Sequence, residues 1–243
     1  MASTYLRRGL AAGLLAGLLA GLFAYFVGEP FLDRAIAFEE VSAGAHGHHG
    51  DGHHAEEEGV FSRGIQKVGL FFATGLFGVT VGGIFGIAYA YFRGRLSSGS
   101  EWNRSLSLAG ALFAGAFLVP YVKYPANPPT VGDPATIGSR TAAYFTMVAL
   151  SLLVVLAAWH AARTLREREI STPVRQVAVG LGVVAAVGAL FLVLPAAPDP
   201  GEFPSGLLWN FRLSSLGTQL VFWTGLGVAF GLLGERASRR ERF

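Results

Sequence analysis

The apolar positions of this chain fall into six long runs, residues 9–27, 68–92, 105–122, 141–162, 176–197 and 213–234, and no Asp, Glu, Lys or Arg interrupts any of them. About 20 mostly apolar residues are needed for a helix to cross a bilayer. Hydrocarbon offers no partner for a bare N–H or C=O, so a run of this length must satisfy its own backbone as a helix. The pattern predicts an all-α integral membrane protein with about six transmembrane helices. It forms one polytopic domain over residues 1–243, with external loops at 28–67, 123–140 and 198–212.

Two of the runs carry a second pattern. Gly9, Gly13, Gly17 and Gly21 repeat every fourth residue, as do Gly78, Gly82 and Gly86. That spacing keeps the glycines on one helix face and lets a neighbouring backbone come close. The expectation is a glycine-rich, tightly packed bundle in which the first two spans, joined by one loop, lie against each other. A cleaved signal peptide is the rival reading of the first run. The run is too long for that, and Glu29, Asp33 and Glu39 intervene before any small-residue cleavage point.

Composition agrees with the pattern: 52% of residues are hydrophobic, 14% are charged and the mean hydropathy is +0.47. Charge then sets the orientation. Thirteen of the nineteen Lys and Arg residues lie before the first run, in alternate loops and after the last run; eleven of the sixteen acidic residues lie in the other loops. An excess of Lys and Arg marks the cytoplasmic side. Both termini are therefore expected in the cytoplasm of a cell that carries this multi-pass protein in its (inner) membrane. The pI of about 9.4 follows from these anchors. No basic stripe interleaved with aromatics is present, so no nucleic-acid partner is expected. There is no Cys, which excludes disulfides in the external loops.

The most distinctive polar stretch is AHGHHGDGHHAEEEG, where His46, His48, His49, His53 and His54 fall within nine residues. Neutral imidazole is a common ligand for first-row divalent cations, and His-rich tracts point to metal. Asp51 and the three glutamates that follow add oxygen ligands and a negative field. With no Cys and one internal Met, nothing here suits a soft Cu(I) site. A solvated low-complexity loop is the alternative.

Before that stretch, GEPFLDRAIAFEE places Pro30 in a first helical turn and Glu29 and Asp33 on one side of a short interfacial helix. They are either a solvated acidic face or carboxylates at the outer mouth that receive a cation from the histidines. After the third run, five prolines between Pro120 and Pro134 predict a stiff, extended loop that ends the helix. Lys123, Tyr124, Asn127 and Asp133 are the polar groups that loop offers at the external mouth. A similar plan recurs in LVLPAAPDPGEFPSGLLWNFR, as repeated hairpins in transporters do.

GEPFLDRAIAFEE, FSRGIQKVGLFF, KYPANPPTVGDPATIGSRT and NFRLSSLGTQ together make the chain resemble the CbtA family of probable cobalt transporter subunits, over nearly its whole length. That resemblance implies an integral membrane protein moving cobalt, linked to cobalamin supply. It also implies a small single-helix partner subunit with its own histidine motif, and five spans in the usual description against the six counted here. It implies no catalysis and no resident cofactor. The ion carried is Co²⁺, with Ni²⁺ as the alternative cargo, and the surroundings are a lipid bilayer with room for a homo-oligomer. Two readings remain open. One is a permease subunit that captures the ion on the external His/Asp/Glu loop and passes it across the membrane. The other is a non-transporting accessory or scaffold that gathers metal for a partner. Uptake by this protein alone separates them.

Overall fold

A computed structural model describes residues 2–45, 63–96, 99–128, 131–197, 199–201 and 203–240. These form α1 (Ala2–Phe23), α2 (Glu29–Ala45), α3 (Arg63–Phe92), α4 (Glu101–Phe113), α5 (Val119–Lys123), α6 (Ile137–Glu167), α7 (Thr172–Val193) and α8 (Ser205–Arg240), with no strand among the described residues. Six stretches among them are long and apolar enough to cross a membrane: Ala2–Glu39, Arg63–Phe92, Glu101–Lys123, Ile137–Glu167, Thr172–Val193 and Ser205–Arg239. The apolar runs mark the middles of these helices, and polar turns extend most of their ends. The fifth is an exception. Its run reaches residue 197, but α7 stops at Val193 because Leu194 precedes Pro195 and is driven into extended backbone, with φ −78° and ψ 151°.

Two prolines act differently from the expectation that they stop or start helices. α1 does not end before α2; a π-helical turn, Ala24–Gly28, joins them. A second π turn, Ala114–Leu118, joins α4 to α5, so the third span runs on through Pro120 to Lys123. The cause is steric. A proline ring inside an α-helix collides with the carbonyl four residues back, and widening the preceding turn relieves it. In both places the π turn ends two residues before the proline.

The chain divides into two compact units. Unit 1 comprises Met1–Gly110, Asn127–Thr130 and Phe203–Phe243. Its foundation is the antiparallel contact of α1 with α3. A Cβ on Gly13 would fall 2.8 Å from the Gly82 Cα, and one on Gly78 would fall 2.9 Å from the Gly17 Cα. Gly9, Gly82 and Gly86 meet opposing backbone as closely, so these helices touch main chain to main chain. α8 packs beside them. The Phe23 ring covers Gly217, Ala109 covers Gly227, and the Ser105 hydroxyl donates to the Gly227 carbonyl at 2.7 Å. Phe85, Tyr89, Phe222 and Phe230 form the aromatic core of this unit.

Unit 2 comprises Ala111–Ala126 and Val131–Glu202. In α7 glycine has no such part: Gly180, Gly182 and Gly188 have nothing within 4 Å. α6 buries only Met147 and Ser151, and α7 buries no residue. Their apolar faces, among them Leu181, Val184 and Leu192 of α7, are exposed among the described residues and suit hydrocarbon. At the loop, Gly132 takes φ +101° and packs under the Arg140 guanidinium, which donates to the carbonyls of Val131 and Asp133, both at 3.2 Å.

Candidate metal-collecting site

His46, His48, His49, His53, His54 and Asp51 lie outside the described residues, in the stretch that joins α2 to α3. Among the described residues no three His, Asp or Glu side chains gather in a way that could hold a metal. What the structure does bring together is the first turn of α3, which follows that stretch, and the first turn of α2, at the opposite end of α2 from it.

Glu29 and Asp33 are four residues apart on α2, and Arg63 and Lys67 are four apart on α3, so each pair shares one helix face. Because α3 runs antiparallel to α1, its first turns come beside the first turns of α2, and these faces meet. Arg63 Nη2 donates to Glu29 Oε2 at 2.8 Å and also bonds Asp33 Oδ1. Lys67 Nζ donates to Asp33 Oδ2 at 2.9 Å, and Arg63 Nη1 is steadied by Gln66 Oε1 at 2.7 Å. Glu29 is the buried member at 11% side-chain exposure, whereas Asp33 is 43% exposed. Two carboxylates and two basic groups balance in charge. The cluster is thus a closed electrostatic clamp whose carboxylate oxygens accept a divalent cation only in competition with Arg63 and Lys67.

Next to this clamp, α8 lines the inner side with hydroxyls. A Cβ on Gly28 would sit 3.9 Å from Ser214 Oγ. Ser214 is buried and donates to the Phe211 carbonyl at 2.8 Å, while Thr218 donates to the Ser214 carbonyl at 2.9 Å. Arg212 donates to Asn127 Oδ1 at 2.8 Å, which fixes Asn127 of the proline-rich loop against α8, with Pro128 fully buried.

The other loop residues are engaged structurally. Lys123 Nζ donates to the Phe191 carbonyl at 2.9 Å and lies over the Tyr124 and Phe191 rings. The Tyr124 hydroxyl donates to the Pro195 carbonyl at 2.7 Å, and burial holds its pKa above the usual tyrosine value. Both residues thereby cap the end of α7. Asp133 turns inward on its own loop, accepting from the Ala135 N–H at 2.8 Å. Asn127 falls in unit 1 and the other three in unit 2.

A second charged cluster was not anticipated from the sequence. Glu101 opens α4 yet is only 9% exposed. Its Oε1 accepts Arg93 Nη2 at 3.1 Å and Arg104 Nη1 at 3.3 Å; its Oε2 accepts the Tyr89 hydroxyl at 2.9 Å and lies 3.5 Å from Arg8 Nη1. The arginines read as orientation anchors are therefore also counterions. The spacing Tyr89, Arg93 along one helix and Glu101, Arg104 along the next was the available signal.

The chain matches a family model described as "Probable cobalt transporter subunit (CbtA)" over residues 2–235. No curated protein and no solved structure matches it.

Proposed function

The chain belongs to the family of probable cobalt transporter subunits, and from that premise we propose that it captures Co²⁺ on the segment holding His46, His48, His49, His53, His54 and Asp51 and passes the ion into unit 1 past Glu29 and Asp33. The observation that carries this is the clamp. The histidine segment leads into α3, whose first residues Arg63 and Lys67 are paired with Glu29 and Asp33 in the first turns of α2. An ion gathered on the segment is released beside two hard oxygen ligands whose present counterions are tethered and displaceable.

Beyond the clamp the path offers neutral oxygens. Glu29 N–H closes the π turn on the Ala24 carbonyl and Pro30 has no N–H, so the Tyr25 carbonyl loses both its α- and its π-type donor. That carbonyl and the hydroxyls of Ser214 and Thr218 are ligands that carry no charge into the membrane. This matters because even a single charge costs about 2.5–3.5 kcal/mol at the bilayer centre. The Lys/Arg excess supports both termini in the cytoplasm and the histidine segment outside. Lys123, Tyr124, Asn127 and Asp133 shape the outer loops in this reading. A partner subunit, implied by the family description, covers apolar surface left open by this chain, and no catalytic step is involved.

The charge-free middles of the spans favour a second reading, in which the protein gathers metal for a partner that holds the path. Cobalt uptake into vesicles containing this chain alone decides between them. The permease reading expects uptake that the five-histidine-to-Ala variant slows at scarce cobalt and restores at saturation. It also expects the contribution of the histidines to fade below about pH 6.5, where imidazole protonates. Cobalt binding without uptake selects the accessory reading.

A further inference from the structure

α6 and α7 leave a groove between them. Ala157, Ala161 and Leu165 line it from α6, and Ala178, Gly182 and Ala186 line it from α7. Each set recurs at three- and four-residue steps and so keeps to one helix face. Five of these six residues are alanine or glycine, too small to fill the space between the helices. The result is an apolar cavity of about 270 Å³ with an open side, and no described residue outside α6 and α7 lines it.

The same steps lead to an arginine on each helix. Arg168 follows Leu165 by three residues and Arg175 precedes Ala178 by three, so both groove faces end in a guanidinium at the α6–α7 turn. Arg168 is exposed and makes no ion pair among the described residues. Arg175 is half-buried and gives one of its five donors to Thr172 Oγ1, at 3.4 Å. Arg163 is taken up by Glu167, whose Oε1 accepts its Nε at 2.8 Å. Residues 163–175 hold four arginines against two glutamates, so positive charge is in surplus where the groove ends.

We propose that this groove holds an acyl chain of an anionic phospholipid, whose phosphate is met by Arg168 and Arg175. Guanidinium forks match phosphate oxygens in pairs, and basic sites between transmembrane helices suit such headgroups. The Lys/Arg excess supports a cytoplasmic position for the α6–α7 turn, and the cytoplasmic leaflet carries anionic lipid. Size favours a chain over a partner helix. One helical turn, about 10 Å across and 5.4 Å long, takes up roughly 400 Å³, more than the cavity offers. A single acyl chain is thin enough to lie along the roughly 12 Å between Ala178 and Ala186. A zwitterionic headgroup brings its own cation to the arginines and so binds less well. The inference does not depend on which ion the chain handles.

Thermal unfolding of the detergent-solubilised full chain tests the groove and the arginines separately, with phosphatidylglycerol, phosphatidylcholine or inorganic phosphate added. The wild type is expected to gain several degrees with phosphatidylglycerol and much less with either of the others. Gly182→Leu fills the groove without a clash, because a Cβ there meets nothing within 4 Å. It keeps its lipid-free midpoint and loses most of the phosphatidylglycerol gain. Arg168→Gln with Arg175→Gln leaves the Arg163–Glu167 pair in place and brings the phosphatidylglycerol gain down to that of phosphatidylcholine. An undiminished gain in either variant overturns the proposal, as do equal wild-type gains with phosphatidylcholine or with inorganic phosphate. No gain with any lipid overturns it as well, and leaves the groove to a helix lying across it.

Discussion

The Ser151 hydroxyl of α6 donates to the Gly115 carbonyl inside the second π turn, sharing its proton with the Val148 carbonyl of its own helix at 3.0 Å. Gly115 is the position where that bond is needed. Val119 N–H closes on Ala114 and Pro120 has no N–H, so the Gly115 carbonyl has no helical donor. Ser151→Ala removes the replacement in an apolar setting. It is expected to destabilise the protein by about 0.6 kcal/mol, the average for interhelical hydrogen bonds in membranes, and by no more than about 1.7 kcal/mol, their maximum. Thermal unfolding in detergent measures this, and an unchanged midpoint means the carbonyl finds another donor.

Gly13→Leu and Gly82→Leu each drive a side chain into opposing main chain, with the nearest Cα atoms at 2.8 Å and 2.7 Å from the new Cβ. Backbone cannot rotate away as a side chain can, so a loss of at least about 1–3 kcal/mol is expected for each. Gly180→Leu, at a position with nothing within 4 Å, should leave the melting temperature as it is. Equal effects at all three positions would contradict the contact.

At the clamp, Arg63→Gln should be more damaging than Lys67→Gln. Asp33 keeps Arg63 when Lys67 is lost, whereas among the described residues Glu29, the more buried carboxylate, is ion-paired to Arg63 alone. In vesicles, Glu29→Gln and Asp33→Asn are expected to lower the maximal rate of cobalt uptake at every cobalt concentration. The five-histidine variant should instead shift the concentration dependence. Matching kinetics for both kinds of variant would show that the segment and the carboxylates form one site.

Orientation can be read by labelling, since the chain has no native Cys. Single cysteines at Gly47 and Asp133 should react with an impermeant maleimide added outside. Those at Ser98 and Ser238 should react only after permeabilisation. Outside labelling at Ser238 would place the C-terminus on the other side and reduce the spans to an odd number.

The helices were legible because apolarity and length alone determine them: six uncharged runs became six spans. The glycine faces of α1 and α3 were legible for the same reason, since a four-residue repeat has one geometric meaning on a helix. The π turns were not. Pro30 and Pro120 announce a disturbance, but whether a chain stops, kinks or widens depends on what can satisfy the freed carbonyl, and for Gly115 that is Ser151, 36 residues away. The Glu101 cluster was hidden by its composition. Arg93 and Arg104 look like ordinary ends of spans until the fold sets them, with Arg8, around one carboxylate. Glu29 and Asp33 were legible as a pair on one face; that Arg63 and Lys67 would neutralise them required the antiparallel register.

That register has a consequence for how the protein can change over time. The alignment of α1 with α3 is dictated by main-chain contacts from Gly9 to Gly86 and by the ion pairs of Arg63 and Lys67, all outside residues 46–62. The alignment therefore does not depend on the intervening stretch, and doubling its length would cost only about 0.6 kcal/mol in closure entropy. Residues can therefore be gained, lost or respaced between α2 and α3 at little cost to the packing of α1 against α3, which leaves that part of the sequence free to drift while the helical hairpin stays constant.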